Sequence, residues 1–282
     1  MKISTSFAKF KKLHKNKHSQ AIYYSKRCKN YNFVENLYKF ILVKKNSFIF
    51  ESVEKGTVRG RYTIIGFNPD RIYNIKKNKI TVDDFKKKKV IKQNVLKYLN
   101  ELLKNFKVKT FDNIPQMSSM LVGYFSYDII RLIEKIPDKC KNDIDIPDIR
   151  LMRPKNLIVY DNIKKKIFFI HNIFKDENIN NYELKYNSIK NDFKELESFG
   201  NIVLPENFHK NSARTKIRSN LSKSKFKKIV IKAKDYIKKG DIFQVVLSQR
   251  FEAPIEKPPI EIYNTLRVLN PSPFMFYFNY DD

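Results

Sequence analysis

Tryptophan is absent from the 282 residues, glycine occurs six times, cysteine twice and histidine four times, and acidic side chains are outnumbered by basic ones, 29 to 57. The two cysteines, Cys28 and Cys140, lie far apart with no CxxC and no Cys/His pairing, so neither a disulfide framework nor a zinc site is signalled. No run approaches the ~18 consecutive apolar residues of a membrane span. The first twenty residues, MKISTSFAKFKKLHKNKHSQ, interrupt every apolar stretch with lysine, so no signal peptide is expected. The expected setting is a reducing cytoplasm, with no membrane partner. The formal charge of +28 ordinarily suggests a nucleic-acid partner. Here lysine predominates over the arginine that reads phosphate and guanine bidentately, and it comes with abundant Asn, Ile, Phe and Tyr. That is the profile of an A+T-rich coding sequence, and no nucleic-acid partner is expected. The lysine runs at 86–89 and 164–166 fall between strand-like segments and read as solvated turns.

What is present suffices for a sizeable core, since 42% of the residues are hydrophobic. His14 and His18 have helical i, i+4 spacing, but Lys15 and Lys17 flank them and would repel a cation, so no metal site is expected there. Strands are predicted from Phe48 to Val82, as SFIFESV, RYTIIGF, RIYNI and KITV, the last two around a turn at Lys76-Lys77-Asn78. Val95, Leu96, Leu99, Leu102, Leu103 and Phe106 form an amphipathic helical stripe. Residues 120–128, MLVGYFSYD, read as a strand in which Gly123 admits a neighbouring backbone, and a loop is expected from Ile136 to Pro154. NLIVYD and KIFFIHNIF form a hairpin about residues 162–165. After an aperiodic stretch at 199–224, Ser222 or Ser224 caps a helix that Gly240 ends. Asp241–Phe251 alternates like a strand, with Gln244 on one face. A helix follows from Pro258-Pro259, then a turn at Asn270-Pro271-Ser272-Pro273 and a last strand, FMFYFNY. That strand stops at Asp281-Asp282 without a partner behind it, which suggests a truncated chain.

Four stretches resemble anthranilate synthase component I, the large, chorismate-binding subunit of that enzyme. They are Phe50-Glu51-Ser52 with 60–66 (GRYTIIG); Gly123-Tyr124 through Asp128 with Ile146-Pro147-Asp148 and 157–161 (LIVYD); 240–251 (GDIFQVVLSQRF); and 270–277 (NPSPFMFY). The resemblance implies an α+β fold of largely antiparallel sheets with flanking helices, incomplete at the C-terminus. It divides the chain into an N-terminal domain at 1–200, a linker at 201–223 and the start of a chorismate-binding domain at 224–282.

It also implies a lyase that converts chorismate and ammonia, released from glutamine by an amidotransferase partner subunit, into anthranilate and pyruvate for L-tryptophan biosynthesis. The family's Mg2+-holding glutamates, its Gly-Thr, its catalytic His and its terminal segments have no counterpart before Asp282. No metal ligand is therefore expected in this chain, and the chain alone is expected to be inactive. Feedback inhibition by L-tryptophan is carried onto Ser52, Pro273, Phe274 and Met275, with Glu51, Asn270 and Pro271 beside them. An amino-acid effector needs partners for its two charges and an apolar slot for its ring. A Pro-Ser-Pro strand entry is the simpler reading of the turn by itself. Gln244 stands where water-adding chorismate enzymes resemble one another in carrying a lysine base. An amide cannot deprotonate water but can hydrogen-bond ammonia, although a core-facing glutamine is the competing reading. Ser118 and Ser119 depart from the family's Gly-Gly, and Phe274 from its commoner Tyr. The large subunit of aminodeoxychorismate synthase and a non-catalytic tryptophan-binding remnant are the alternatives.

Overall fold

A computed structural model describes residues 2–54, 58–109, 113–139, 142–202, 216–255 and 257–280. The described elements run α1 (Phe7–Lys15), β1 (Ser19–Arg27), α2 (Asn32–Ile41), β2 (Ser47–Glu54), β3 (Val58–Lys76), β4 (Lys79–Asp83), β5 (Lys88–Ile91), α3 (Val95–Asn105), β6 (Val108–Lys109), β7 (Val122–Phe125), β8 (Ile149–Asp161), β9 (Lys166–Ile173), α4 (Tyr182–Gly200), β10 (Arg218–Ser219), α5 (Lys223–Lys238), β11 (Phe251–Glu252), α6 (Pro259–Leu269) and β12 (Phe274–Asn279). They fall into two compact units, one of residues 1–204 with 263–282, the other of residues 205–262. Residues 263–282 thus belong with the first unit, whereas the sequence grouped them with 224–262. The expected linker lies mostly outside the described residues, as does Cys140.

The first unit is built on one sheet of order β12-β2-β3-β8-β9-β1-β6, with β4 and β5 continuing from β3 and β7 pairing with β8. Every pairing is antiparallel except the short β1–β6 contact. This is the expected α+β arrangement. Cross-strand partners share a face, so Ile49, Ile65, Ile158, Phe169 and Tyr24 line one side and Phe48, Gly66, Leu157, Ile170 and Tyr23 the other. The first side is covered by helices. Phe33 of α2 meets Phe169 edge-on, and Gly200 of α4 leaves room for the Phe33 ring, which a Cβ there would approach to 2.3 Å. The second side holds the core of Phe48, Met152, Leu157, Val159 and Phe168.

Several local expectations are met. Lys76 pairs with Lys79 across a two-residue turn with Lys77 at φ 52°. Asn94 caps α3, and Asp161 accepts from the Ile163 and Lys164 amides to shape the β8–β9 turn. At Gly123 an added Cβ would lie 1.8 Å from the Arg150 carbonyl oxygen, so β7 reaches its register on β8 only through glycine.

Four readings need correction. RYTIIGF and RIYNI form a single 19-residue strand, β3, bent by a register shift between Pro69 and Arg71 instead of being broken there. The loop expected to reach Pro154 ends earlier, because β8 begins at Ile149, where β3 and β7 supply partners on both sides. The lysine run at 86–89 is only partly a turn, since Lys88 and Lys89 belong to β5. His14 and His18 do not share a helical face: α1 ends at Lys15, and His14 is buried with its Nδ1 2.9 Å from the Tyr182 hydroxyl.

In the second unit, Ser222 caps α5 by accepting from the Lys225 amide, and Gly240 follows the helix at φ 77°. Residues 241–250 form no strand. Only Phe251–Glu252 pairs, with Arg218–Ser219, so the alternating pattern has no ladder to join, and Phe243 and Val246 are exposed.

Candidate functional site

Strand β2 lies between β3 and β12, and its chemistry divides by face. Glu51 pairs with Thr63 on β3 and Met275 on β12, while Ser52 pairs with Phe274. Alternation therefore sends Glu51 and Met275 to the helix-covered side and Ser52 and Phe274 to the other. The structure brings the two expected segments side by side, 274 against 52, but separates their side chains across the sheet.

Ser52 occupies a β-bulge, where the β2–β3 register shifts between Glu51 and Val53. Its Oγ accepts from the Tyr62 amide and donates to the Tyr62 carbonyl, both at 3.3 Å, replacing the ladder bonds that the bulge interrupts. Gly60 permits this, since a Cβ there would sit 2.4 Å from the Ser52 Oγ. The spacing of Glu51-Ser52 to Gly60-Arg61-Tyr62 is thus first an architectural device. One lone pair of the Ser52 oxygen remains for a ligand. Phe274 is 80% exposed, and a cleft of about 700 Å3 on the same face is lined by Tyr23, Arg61, Tyr62, Lys164 and Lys166 among others, without the expected effector residues.

Glu51, 3% exposed, is the centre of a buried polar cluster. Its Oε1 accepts from the Tyr31 hydroxyl at 2.7 Å and its Oε2 from the Tyr263 hydroxyl at 2.7 Å, and Nη1 of Arg267 lies 3.2 Å from both oxygens. The Tyr31 hydroxyl is also 3.2 Å from Thr63 Oγ1, and Nη2 of Arg267 donates to Glu35 at 3.2 Å. Burial, the Glu51 charge and the Glu51 hydrogen bond all hold the Tyr263 phenol above its ordinary range. Burial pulls the Arg267 guanidinium down, but Tyr38, Glu51 and Tyr31 together outweigh it and raise it. Tyr31, Tyr263 and Arg267 escaped the sequence reading, because each acquires its role only through a carboxylate distant in the chain.

Gln244 is exposed within the irregular segment of the second unit. Asn270 and Pro271 follow α6 and lead into β12. Among the described residues there is no group of three or more His, Cys, Asp or Glu placed to hold a metal ion. No described helix is long and apolar enough to cross a membrane.

A largely antiparallel sheet with helices on one face, carrying these motifs, defines a class that the comparisons specify. The profile of chorismate binding enzymes matches residues 45–282, and the chain belongs to that family. It is 37% identical over 240 residues to the anthranilate synthase component 1 of Acetivibrio thermocellus, covering 83% of this chain and 48% of that one. It is 30% identical over 284 residues to the protein of the same name from Cereibacter sphaeroides, covering 98% and 56%. The crystal structure of anthranilate synthase component I from Streptococcus pneumoniae superposes with a TM-score of 0.62 at 28% identity, over 78% of this chain and 48% of that one. The chain spans about half the length of these relatives.

Proposed function

We propose that this chain serves as the large subunit of an anthranilate synthase, which converts chorismate and ammonia to anthranilate, pyruvate and water. Ammonia attacks the ring as the 4-hydroxyl leaves, and the enolpyruvyl group is then eliminated as pyruvate. A glutamine amidotransferase subunit supplies the ammonia, and a Mg2+ ion, where the complete enzyme binds one, would offset the charge of the substrate carboxylate. Gln244, unable to serve as a base, suits a nucleophile that needs no deprotonation.

L-tryptophan binds, in this reading, at the β2–β12 edge. The pairing of Ser52 with Phe274 carries the proposal, because it joins two motifs from opposite ends of the chain. Ser52 offers its remaining lone pair to the ammonium, the backbone of Pro273, Phe274 and Met275 offers polar partners, and the exposed Phe274 ring offers apolar area. Glu51, Asn270 and Pro271 support these positions from behind.

Calorimetric titration of the chain with L-tryptophan tests the effector site, and an assay with chorismate, ammonium and Mg2+ tests turnover. Saturable heat that Ser52→Ala abolishes supports the site; no heat with the folded wild-type chain overturns it. Anthranilate formed in the presence of chorismate and the partner subunit supports the activity. A different aromatic amine as the product overturns it.

A further inference from the structure

All four lone-pair directions of the Glu51 carboxylate are engaged, two at each oxygen, by Tyr31, Tyr263 and Arg267. A carboxylate so saturated and so buried has no direction left for a ligand's ammonium. Its donors come from two different parts of the fold. Tyr31 immediately precedes α2, while Tyr263 and Arg267 lie on α6, whose chain continues through the Asn270–Pro273 turn into β12. Arg267 also reaches Glu35 on α2 at 3.2 Å, and its guanidinium lies 5.7 Å from the Tyr38 ring centroid. Tyr38 donates to Asn264 at 3.4 Å, and Tyr263 packs on Tyr277 of β12 with centroids 5.9 Å apart. One cation thus serves two carboxylates, and two neutral phenols offset the surplus negative charge by donating hydrogen bonds to it.

We propose that Glu51 is the acceptor of a latch that fastens α6 and β12 to β2 and α2, and that Arg267 and Tyr263 are positioning residues that set Phe274 and Met275 in register with Ser52. The regulatory part of this inference rests on the β2–β12 edge being the effector site; the latch itself does not. The outer edge of β12 is unpaired among the described residues, and its exposed face, with Phe274 and Phe276, contributes little to holding it. At its far end β12 is held by Phe278, packed on Phe48 and Phe50, and by Asn279, which donates to the Leu42 and Lys44 carbonyls; at the Phe274–Met275 end the grip comes from β2 on one side and from this cluster beneath. An effector that displaces β12 must work against the cluster, and one that favours the observed register is helped by it.

Hydrogen exchange of residues 263–280 in the whole chain tests the latch without any ligand. Glu51→Gln, Arg267→Met and Tyr263→Phe should each speed exchange of the β12 amides at least about tenfold while leaving the β8–β9 amides unchanged. Glu51→Gln combined with Arg267→Met should cost less than the sum of the two. Wild-type exchange rates in both Arg267→Met and Tyr263→Phe overturn the latch. If Arg267→Met fails to fold, Tyr263→Phe, which removes one hydroxyl and no charge, carries the comparison.

A second measurement separates positioning from direct contact. Titrations with L-tryptophan and with indole-3-propionate, which lacks the ammonium, should weaken by the same factor in each variant. Loss of L-tryptophan alone in Glu51→Gln, with Arg267→Met unaffected, would make Glu51 a ligand and overturn the proposal. If the wild-type chain binds neither compound, the effector-site reading fails and the exchange rates alone decide the latch.

Discussion

Gly60 lies so close to Ser52 that a Cβ on it would come within 2.4 Å of the serine oxygen and 2.7 Å of the serine Cβ. A serine that replaces ladder bonds at a bulge and a glycine that makes room for it form one device, and their joint occurrence in the sequence needs no ligand to explain it. Gly60→Ala should therefore lower the unfolding free energy by about 1–3 kcal/mol through overpacking. Ser52→Ala should cost a similar ~1–3 kcal/mol by leaving the Tyr62 amide and carbonyl unpaired. Urea midpoints of the two single variants and the double variant check this, and strict additivity would contradict the shared cause.

Gly123 offers a harder constraint, since the atom it would strike is the Arg150 backbone oxygen, 1.8 Å away, and not a movable side chain. Gly123→Ala should cost about 3 kcal/mol. It should also free β7 from β8, seen as faster amide exchange at 122–125. Unchanged exchange there would show that the strand pair can shift to admit a methyl group.

His171 is 3% exposed, and neither ring nitrogen has a hydrogen-bond partner among the described residues. Burial first, and then the charges of Lys185 and Lys155, hold its pKa well below 6.5. The folded state keeps the ring neutral while the unfolded chain protonates as pH falls through about 6.5, so unfolding takes up a proton. Stability from this source is present above pH ~6.5 and is lost below it, at up to about 1.4 kcal/mol per pH unit. His171→Leu should flatten this acid slope in urea midpoints measured between pH 7.5 and 5. An identical slope in the variant would assign the acid sensitivity to other groups.

Arg153 is buried and donates to Asp70 at 2.8 and 2.5 Å and to Asp176 at 3.1 and 3.3 Å, with its guanidinium 4.0 Å from the Phe174 centroid. Arg153→Met leaves two carboxylates without that cation and should cost about 3–5 kcal/mol. Because the site is sheltered, the loss should persist in 1 M salt, where the Debye length is about 3 Å. A loss that disappears in salt would mark the pair as a surface interaction.

Elements whose pattern and punctuation agree were legible from the residues alone: the β3–β4 and β8–β9 hairpins, α3, whose stripe packs through Val95, Leu99 and Leu102 while Leu96 and Leu103 are exposed, and α5 between Ser222 and Gly240. Strand β1 was not, because Ser19 and Gln20 look like surface residues. In the fold Gln20 donates to the Phe10 carbonyl and Ser19 accepts from the Lys175 amide, so both are buried with partners. Helix α4 was missed although Tyr186, Ile189, Phe193, Leu196 and Gly200 recur at three- and four-residue spacing, because charged residues separate them. Residues 241–250 failed in the opposite sense, since alternation makes a strand only when a neighbour supplies the ladder. At the site, resemblance singled out Ser52 and Phe274, which do meet. The split of Glu51 and Met275 onto the other face follows from strand alternation once the pairing is known, and the pairing is not visible in the sequence.

The partnership of Glu51 with Tyr263 spans 212 positions, and β12 completes the flank of β2 over a similar separation. During synthesis from the amino end, β2 and the carboxylate at its centre must therefore wait for those 212 further positions before their last neighbours arrive. Closing so wide a loop is a late and slow event, and until then an apolar ribbon with unmatched amides is open to other chains. Refolding yield should accordingly fall with protein concentration more steeply than the finished molecule's stability would suggest.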